Sequence, residues 1–465
     1  MKKETDFRLC LLKEDDKVCL FEMKREDAFC WLFNIGIEEE WTKGRFSVKN
    51  VEEQRAIQHM EESLLLLAKR QDIVILRRMP ETDFLYELEE IGFELPHILC
   101  PMGIDYFKTI TELVLEDESL LSILRDLSKG KVYYLVPYGV TKREEKLSEL
   151  TGMKIKGSKS EIVRKTNSKL YARRLAEELG MACPKGIVCH SIGEIKDAWT
   201  RLQREFSKVI VKQLYGASGQ GLFLVDNGVK LKRILYALNR FATKNDRWIV
   251  EGWYEDKVDL NAQLFLHDNG GVEVLSIKRQ ILNNTVYRGS MFPVSISEEN
   301  LEHYQNKLLI VGNALYEEGV RGVVGMDSII TNNVIYPIIE INVRFTLSTY
   351  LGFLPRIFEK CFFQSMYYRI FIHDSFDWRN LLEQTKKRGI YFDKNEKRGV
   401  FFYNYACMNS KCVSGIGRLF VIAVAKQKYV VQILIQEMEK LIVEVFGKHE
   451  IGGDSKTEDS GSIGK

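Results

Sequence analysis

A chain of 465 residues, 45% hydrophobic and 28% charged, is too long for one simple core and reads as a globular protein of two to four domains. Its 67 basic residues nearly cancel its 65 acidic ones, so bulk charge predicts no nucleic-acid and no membrane partner. No run is apolar enough to span a bilayer, Met1–Asp6 leads into no signal segment, and nine scattered cysteines suit a reducing compartment, so a cytoplasmic protein is expected.

Residues 1–150 mix apolar strand candidates with acidic, amphipathic helix candidates, an α/β pattern. Leu9–Leu12 and Val18–Met23 suit a hairpin, Gln54–Lys69 has helical spacing, and Asp72–Leu76 and Val132–Val136 read as strands. Over 151–182 a linker leads into a helix that ends at Gly180. Leu170, Leu175 and Leu179 share its inner face, with Asn167 or Ser168 as cap. Pro184 opens an extended passage, followed by helices around Ile192–Phe206 and Lys230–Phe241. Arg247–Ile281 and Val323–Asn342 are strand-rich, separated by a helix over Glu299–Glu317. Further strands are expected within Ile390–Ala406 and at Arg418–Val424, then a closing helix at Val431–Val445 and a disordered, polar 447–465.

Between those two helices, strand-like Val209–Tyr215 and Leu222–Val225 flank Gly216-Ala217-Ser218-Gly219-Gln220-Gly221. Gly216, Gly219 and Gly221 clear side chains where backbone turns tightly or approaches a ligand. Ser218 and the loop amides can donate to phosphate oxygens, and Lys212 adds a compact positive charge. A strand on each side sets the passage apart from a dinucleotide fingerprint, and it lacks the Gly-Lys-Ser/Thr ending of a Walker loop. Alone, it reads as an ordinary glycine hairpin as readily as a phosphate cover.

Glu340-Ile341-Asn342 weights the choice. Residues 340 and 342 project from one face of an apolar strand and offer a carboxylate and an amide, oxygen ligands suited to magnesium. Asp327, near the end of the preceding strand, can reach the same ion. Arg344, third on that face, suits a transferred phosphoryl group or a substrate carboxylate, or else neutralises Glu340. Lys278, Arg279 and Arg288 follow the central strands and are candidates for the same cleft.

Taken in order, these segments resemble the ATP-grasp superfamily, specifically its carboxylate–amine/thiol ligases. The resemblance covers about residues 160–350 and rests on Asn167-Ser168-Lys169-Leu170-Tyr171-Ala172, Val211-Lys212 with the glycine passage, Ile249-Val250-Glu251-Gly252-Trp253-Tyr254, Gly325-Met326-Asp327 and Ile339-Glu340-Ile341-Asn342-Val343-Arg344. It implies an ATP-grasp fold, α/β overall and α+β in lid and catalytic domain, behind an N-terminal pre-ATP-grasp α/β domain over 1–150. The lid would span 183–248, the catalytic domain 249–370 and a C-terminal extension 371–446.

By the same resemblance Lys169 and Lys212 contact ATP phosphates, and Glu251 meets the adenine amino group beside the backbone of Trp253 and Tyr254. Asp259, with Asp256 as rival, takes the ribose. Asp327, Glu340 and Asn342 hold magnesium, for which manganese can substitute, and Arg344 lies near the transferred phosphate. With Lys212, and with Arg288 taken from its place after the central strands, it makes up the expected catalytic cations. The implied reaction activates a carboxylate, an amino acid's first of all, as an acyl phosphate. An amine or an acyl-carrier-protein thiol then displaces phosphate, as in antibiotic biosynthesis. A small-molecule kinase and a non-catalytic nucleotide-responsive protein are the alternatives. The oligomeric state, homo-oligomer included, is left open.

Overall fold

The computed structural model describes residues 28–42, 50–216, 221–241, 243, 246–373 and 376–447. The hairpin expected within 9–23, the tail after 447, and Ser218 and Gly219 lie outside them.

Five strands, β1 (Ala28–Leu32), β2 (Ile73–Ile75), β3 (His97–Leu99), β4 (Tyr133–Pro137) and β5 (Lys154–Ile155), form a parallel sheet in the order β3-β2-β1-β4-β5. Every residue of β1 and β2 is buried, as central strands covered on both faces require. The order reverses between β1 and β4, and such sheets bind ligands in the crevice beyond the carboxyl ends at that point. Asn34 bridges it, donating from Nδ2 to the Gly139 carbonyl (2.7 Å) and accepting from the Gly139 amide (3.3 Å).

The helix expected over Gln54–Lys69 is α-helical only at Val51–Gln58, and His59–Leu66 tightens into 3-10 turns with all eight residues buried. Glu62 accepts the amides of Tyr405 (2.7 Å) and Ala406 (2.8 Å), and the His59 carbonyl accepts from Asn404 (2.9 Å). The segment is therefore enclosed by distant chain and has no solvent face for an amphipathic period to mark.

A second sheet, antiparallel, runs β6-β9-β7-β8 and holds β6 (Gly186–Cys189), β7 (Val209–Gln213), β8 (Leu222–Val225) and β9 (Trp248–Gly252). Val209↔Val225 through Lys212↔Leu222 pair directly, so the strands flanking the glycine passage are hairpin partners. Gly221 has φ +74°, and a Cβ there would lie 2.6 Å from the Gln213 side-chain oxygen, so glycine is required.

The third sheet has eight strands: β10 (Val258–Leu266), β11 (Val272–Asn283), β12 (Val286–Phe292), β13 (Gly322–Thr331), β14 (Val334–Asn342), β15 (Phe362–Ile372), β16 (Gly399–Phe402) and β17 (Gly415–Ala425). Its order is β14-β13-β10-β11-β12-β15-β17-β16. The border expected at 248 falls on the first residue of β9, and the one at 370 falls inside β15. The chain after 370 thus extends the same ladder, and the helix Lys428–Phe446 packs on β15, β16 and β17. One apolar core joins the first sheet to the third, with Trp31 against Phe345, just past β14, at 6.1 Å between ring centres. No described helix is long and apolar enough to cross a membrane.

Candidate active site

Strand register brings the acidic residues together. Asp327 on β13 stands opposite Glu340 on β14 and Asn261 on β10, and Asn261 stands opposite Lys278 on β11. Directly opposed residues in antiparallel ladders share a face, so four strands present one polar surface. Asp327 accepts from Asn261 (2.8 Å), Gln280 (2.5 Å) and Asn342 (3.4 Å). Burial, and then the charge of Glu340, hold its carboxyl well above the ordinary carboxylate range. A divalent cation would relieve that repulsion. Two carboxylates and an amide are donors magnesium takes, so the residues present fit the ion.

Two lysines meet this surface from other elements. Lys169 opens the helix Lys169–Glu178 and is buried; its Nζ lies 3.1 Å from Glu340 and donates to the Gly216 carbonyl (3.4 Å). One ammonium therefore ties helix, glycine hairpin and acidic strand. Lys212 on β7 lies 2.5 Å from Glu251 on β9, whose second oxygen accepts from Arg173 Nη1 (3.0 Å). Arg173 follows Lys169 by four residues, one turn along the same helix face.

Lys169, Lys212, Glu251, Trp253, Tyr254, Asp259, Asp327, Glu340, Asn342 and Arg344 all line one cleft. Asp259 pairs with Lys257 (2.5 Å), which lies 4.2 Å over the Trp253 ring, whereas its rival Asp256 is exposed and not among the lining residues. Gly216 and Gly221 are the last described residues on the two arms of the glycine hairpin.

Arg344 is held from the first sheet's side. Its Nε lies 2.8 Å from Glu38, and Nη1 donates to the Tyr138 hydroxyl (2.8 Å) and the Phe345 carbonyl (2.9 Å). Its contacting acid is Glu38, then, and not the Glu340 that spacing suggested. The Phe345 amide also donates to the Tyr138 carbonyl (2.8 Å), pinning the end of β14 against the β1/β4 crevice.

The three later cations depart from expectation, since none lines the cleft. Lys278 is fully buried, donates to Ser276 Oγ (2.6 Å) and is held down to about 7 by burial. Arg279 points to the exposed face, because strand alternation gives the cleft to Gln280 instead. Arg288 packs on the Tyr367 ring at 5.2 Å. Asn261, Gln280, Arg173, Glu38 and Tyr138 are the residues sequence reasoning passed over. Period-two alternation from Lys278 pointed to Gln280, and helical spacing from Lys169 to Arg173; nothing local marks Glu38.

This architecture agrees with what comparison with known proteins finds. The ATP-grasp domain family model matches residues 166–348, and the pre-ATP-grasp domain model matches residues 60–153. Among solved structures, carboxyaminoimidazole ribonucleotide synthase from Aspergillus clavatus complexed with ATP superposes with a TM-score of 0.54 at 13% identity, over 90% of this chain and 98% of that one. The biotin carboxylase domain of Hydrogenobacter thermophilus 2-oxoglutarate carboxylase gives 0.53 at 14% identity, over 90% of each. These likenesses show the fold. The butirosin acyl-carrier protein–L-glutamate ligase of Niallia circulans is 32% identical over 339 residues, 71% of this chain and 74% of that protein. The chain belongs to the ATP-grasp ligases.

Proposed function

We propose that this enzyme uses ATP to convert an amino acid's carboxylate into an acyl phosphate, then transfers the acyl group to the thiol of an acyl-carrier protein, releasing ADP and phosphate. The observation that carries this reading is the convergence of Lys169, Lys212 and Glu251 with Asp327, Glu340 and Asn342 in one cleft. The carrier-protein acceptor, and glutamate as the first amino acid to test, follow from the butirosin relative. An amine takes the thiol's place in the second form of the reaction.

Lys169 and Lys212 would leave their carboxylate partners for ATP phosphates, and Glu251 would turn to the adenine amino group while Arg173 keeps it oriented. Asp259 would hold the ribose. Asp327, Glu340 and Asn342 would hold magnesium, which lowers the cost of gathering negative charge on the phosphates. Arg344 would steady the phosphoryl group as the carboxylate oxygen attacks the γ-phosphorus. The glycine hairpin would exclude water from the acyl phosphate. The incoming thiol loses its proton, adds to the acyl carbon and expels phosphate.

The test is to incubate the enzyme with ATP, magnesium and a panel of amino acids in the presence of hydroxylamine. Formation of an amino-acid hydroxamate with stoichiometric ADP is expected. AMP and pyrophosphate would overturn the acyl-phosphate route, and ADP with a phosphorylated hydroxyl but no hydroxamate would identify a kinase. A narrower expectation concerns Lys212→Ala. Losing one charge-assisted phosphate contact, about 1.5–3 kcal/mol, should lower kcat/KM for ATP roughly 10- to 100-fold. The protein should stay folded, since Arg173 still neutralises Glu251. Unchanged ATP dependence in steady-state kinetics would reject the phosphate role.

A further inference from the structure

The polar surface continues beyond the proposed nucleotide residues. Past Gln280 the next strands carry hydroxyls. Tyr287 OH and Ser290 Oγ lie 2.8 Å apart, Ser290 Oγ and Ser348 Oγ 3.4 Å, and the Ser290 amide donates to Ser365 Oγ (3.0 Å). Tyr287 lines the cleft, and its ring centre lies 6.4 Å from that of Tyr367 on β15.

Tyr367 is where positive charge gathers. Arg288 Cζ lies 5.2 Å from its ring centroid and Arg418 Cζ 5.7 Å. Two like charges gathered over one ring repel, and a guanidinium cannot shed its proton to escape. Among the described residues Arg288 has no ion-pair partner, and its Nε is buried without a hydrogen bond. Arg418 has Glu53 at 3.8 Å, a loose pair, and Met60 Sδ at 3.2 Å. The Tyr367 ring face offsets part of this charge but supplies no acceptor for the N–H groups. Both arginine residues keep part of their surface exposed, Arg418 17% of its side chain, so a ligand can approach them.

We infer that Arg288 and Arg418, gathered around Tyr367, form a seat for an anionic group, phosphate or carboxylate, at the far end of the acceptor substrate. Planar guanidiniums match such oxyanions in geometry and charge. The seat is too remote to take the reacting carboxylate itself. Gln280 touches Asp327, and from Gln280 to Tyr367 the sheet advances two strands, roughly 10 Å at ordinary strand spacing. The occupant is therefore extended, with its nucleophile in the cleft and its anion on the arginines. A phosphopantetheinyl arm, thiol at one end and phosphate at the other, has that chemistry; a short free amine does not. The inference rests on the proposed ligase reading for what occupies the seat.

Direct binding to the full chain tests it without requiring turnover. Phosphopantetheine is compared with pantetheine, and a short peptide bearing a free C-terminal carboxylate with its amide. The parent is expected to bind one anionic probe roughly tenfold or more tighter than its uncharged counterpart. That preference should disappear in Arg288→Gln and in Arg418→Gln, and survive in part in Arg288→Lys. A preference in the phosphate pair identifies a carrier arm, and one in the carboxylate pair a peptide-like acceptor. No preference in either pair, or a preference untouched by both glutamine substitutions, overturns the seat. Failure of the hydroxylamine trap would remove the ligase reading and leave this binding result standing.

Discussion

Glu340→Gln should lower ATP-dependent turnover at least about 100-fold, the scale on which removal of one preorganised electrostatic contact acts. It should do so with little change in stability. Glu340 raises the cost of ionising buried Asp327, which offsets what its pairing with buried Lys169 contributes. Glutamine keeps an oxygen for Lys169 and ends that repulsion. Stability near the parental value together with lost turnover would separate a metal ligand from a structural acid. Paired measurements of ADP release at saturating magnesium and of thermal unfolding decide it. Near-parental turnover would remove Glu340 from the catalytic centre.

Glu38→Ala should produce the largest loss of stability. Glu38 and Arg344 are both buried, and removing one member of a buried pair leaves an uncompensated charge, at about 3–5 kcal/mol. Glu38→Gln, which preserves shape and an acceptor oxygen, should cost distinctly less. The alanine variant should also lose turnover, roughly tenfold or more, because Arg344 is then free to swing toward Glu340 and Asp327. Denaturant unfolding and steady-state kinetics on both variants check this. An alanine variant as stable and as active as the parent would show that the clasp between first sheet and β14 carries neither load.

The sequence exposes the proposed nucleotide end of this molecule far better than the proposed acceptor end. Glu340 and Asn342 are two residues apart on one strand, so alternation alone puts them on one face. Lys212 and the glycines sit on a hairpin whose ends are close in sequence. These are local relations, readable from spacing. Register is not local: nothing in the residues says that Asp327 will face Glu340, or that Gln280 will reach Asp327. Tyr138 meets Arg344 across 206 residues, and Glu38 lies further still. His59–Leu66 continues the helical spacing yet forms 3-10 turns, in a segment held by contacts with distant Asn404, Tyr405 and Ala406 that spacing cannot reveal. Ending the catalytic unit at 370 followed from where family motifs stop, whereas the ladder goes on through β15.

The continuity of that ladder sets a scale. The acidic residues and the arginines around Tyr367 belong to a single hydrogen-bonded sheet, so no hinge within it can change their separation. Length along it comes in increments of one strand, about 4.8 Å. A sheet built this way works as a ruler. Side-chain substitutions at its far end can retune which anion is held, but accommodating an acceptor one strand longer or shorter would require adding or deleting a strand. Relatives that share the nucleotide half should therefore differ in acceptor reach by whole strands rather than by graded amounts.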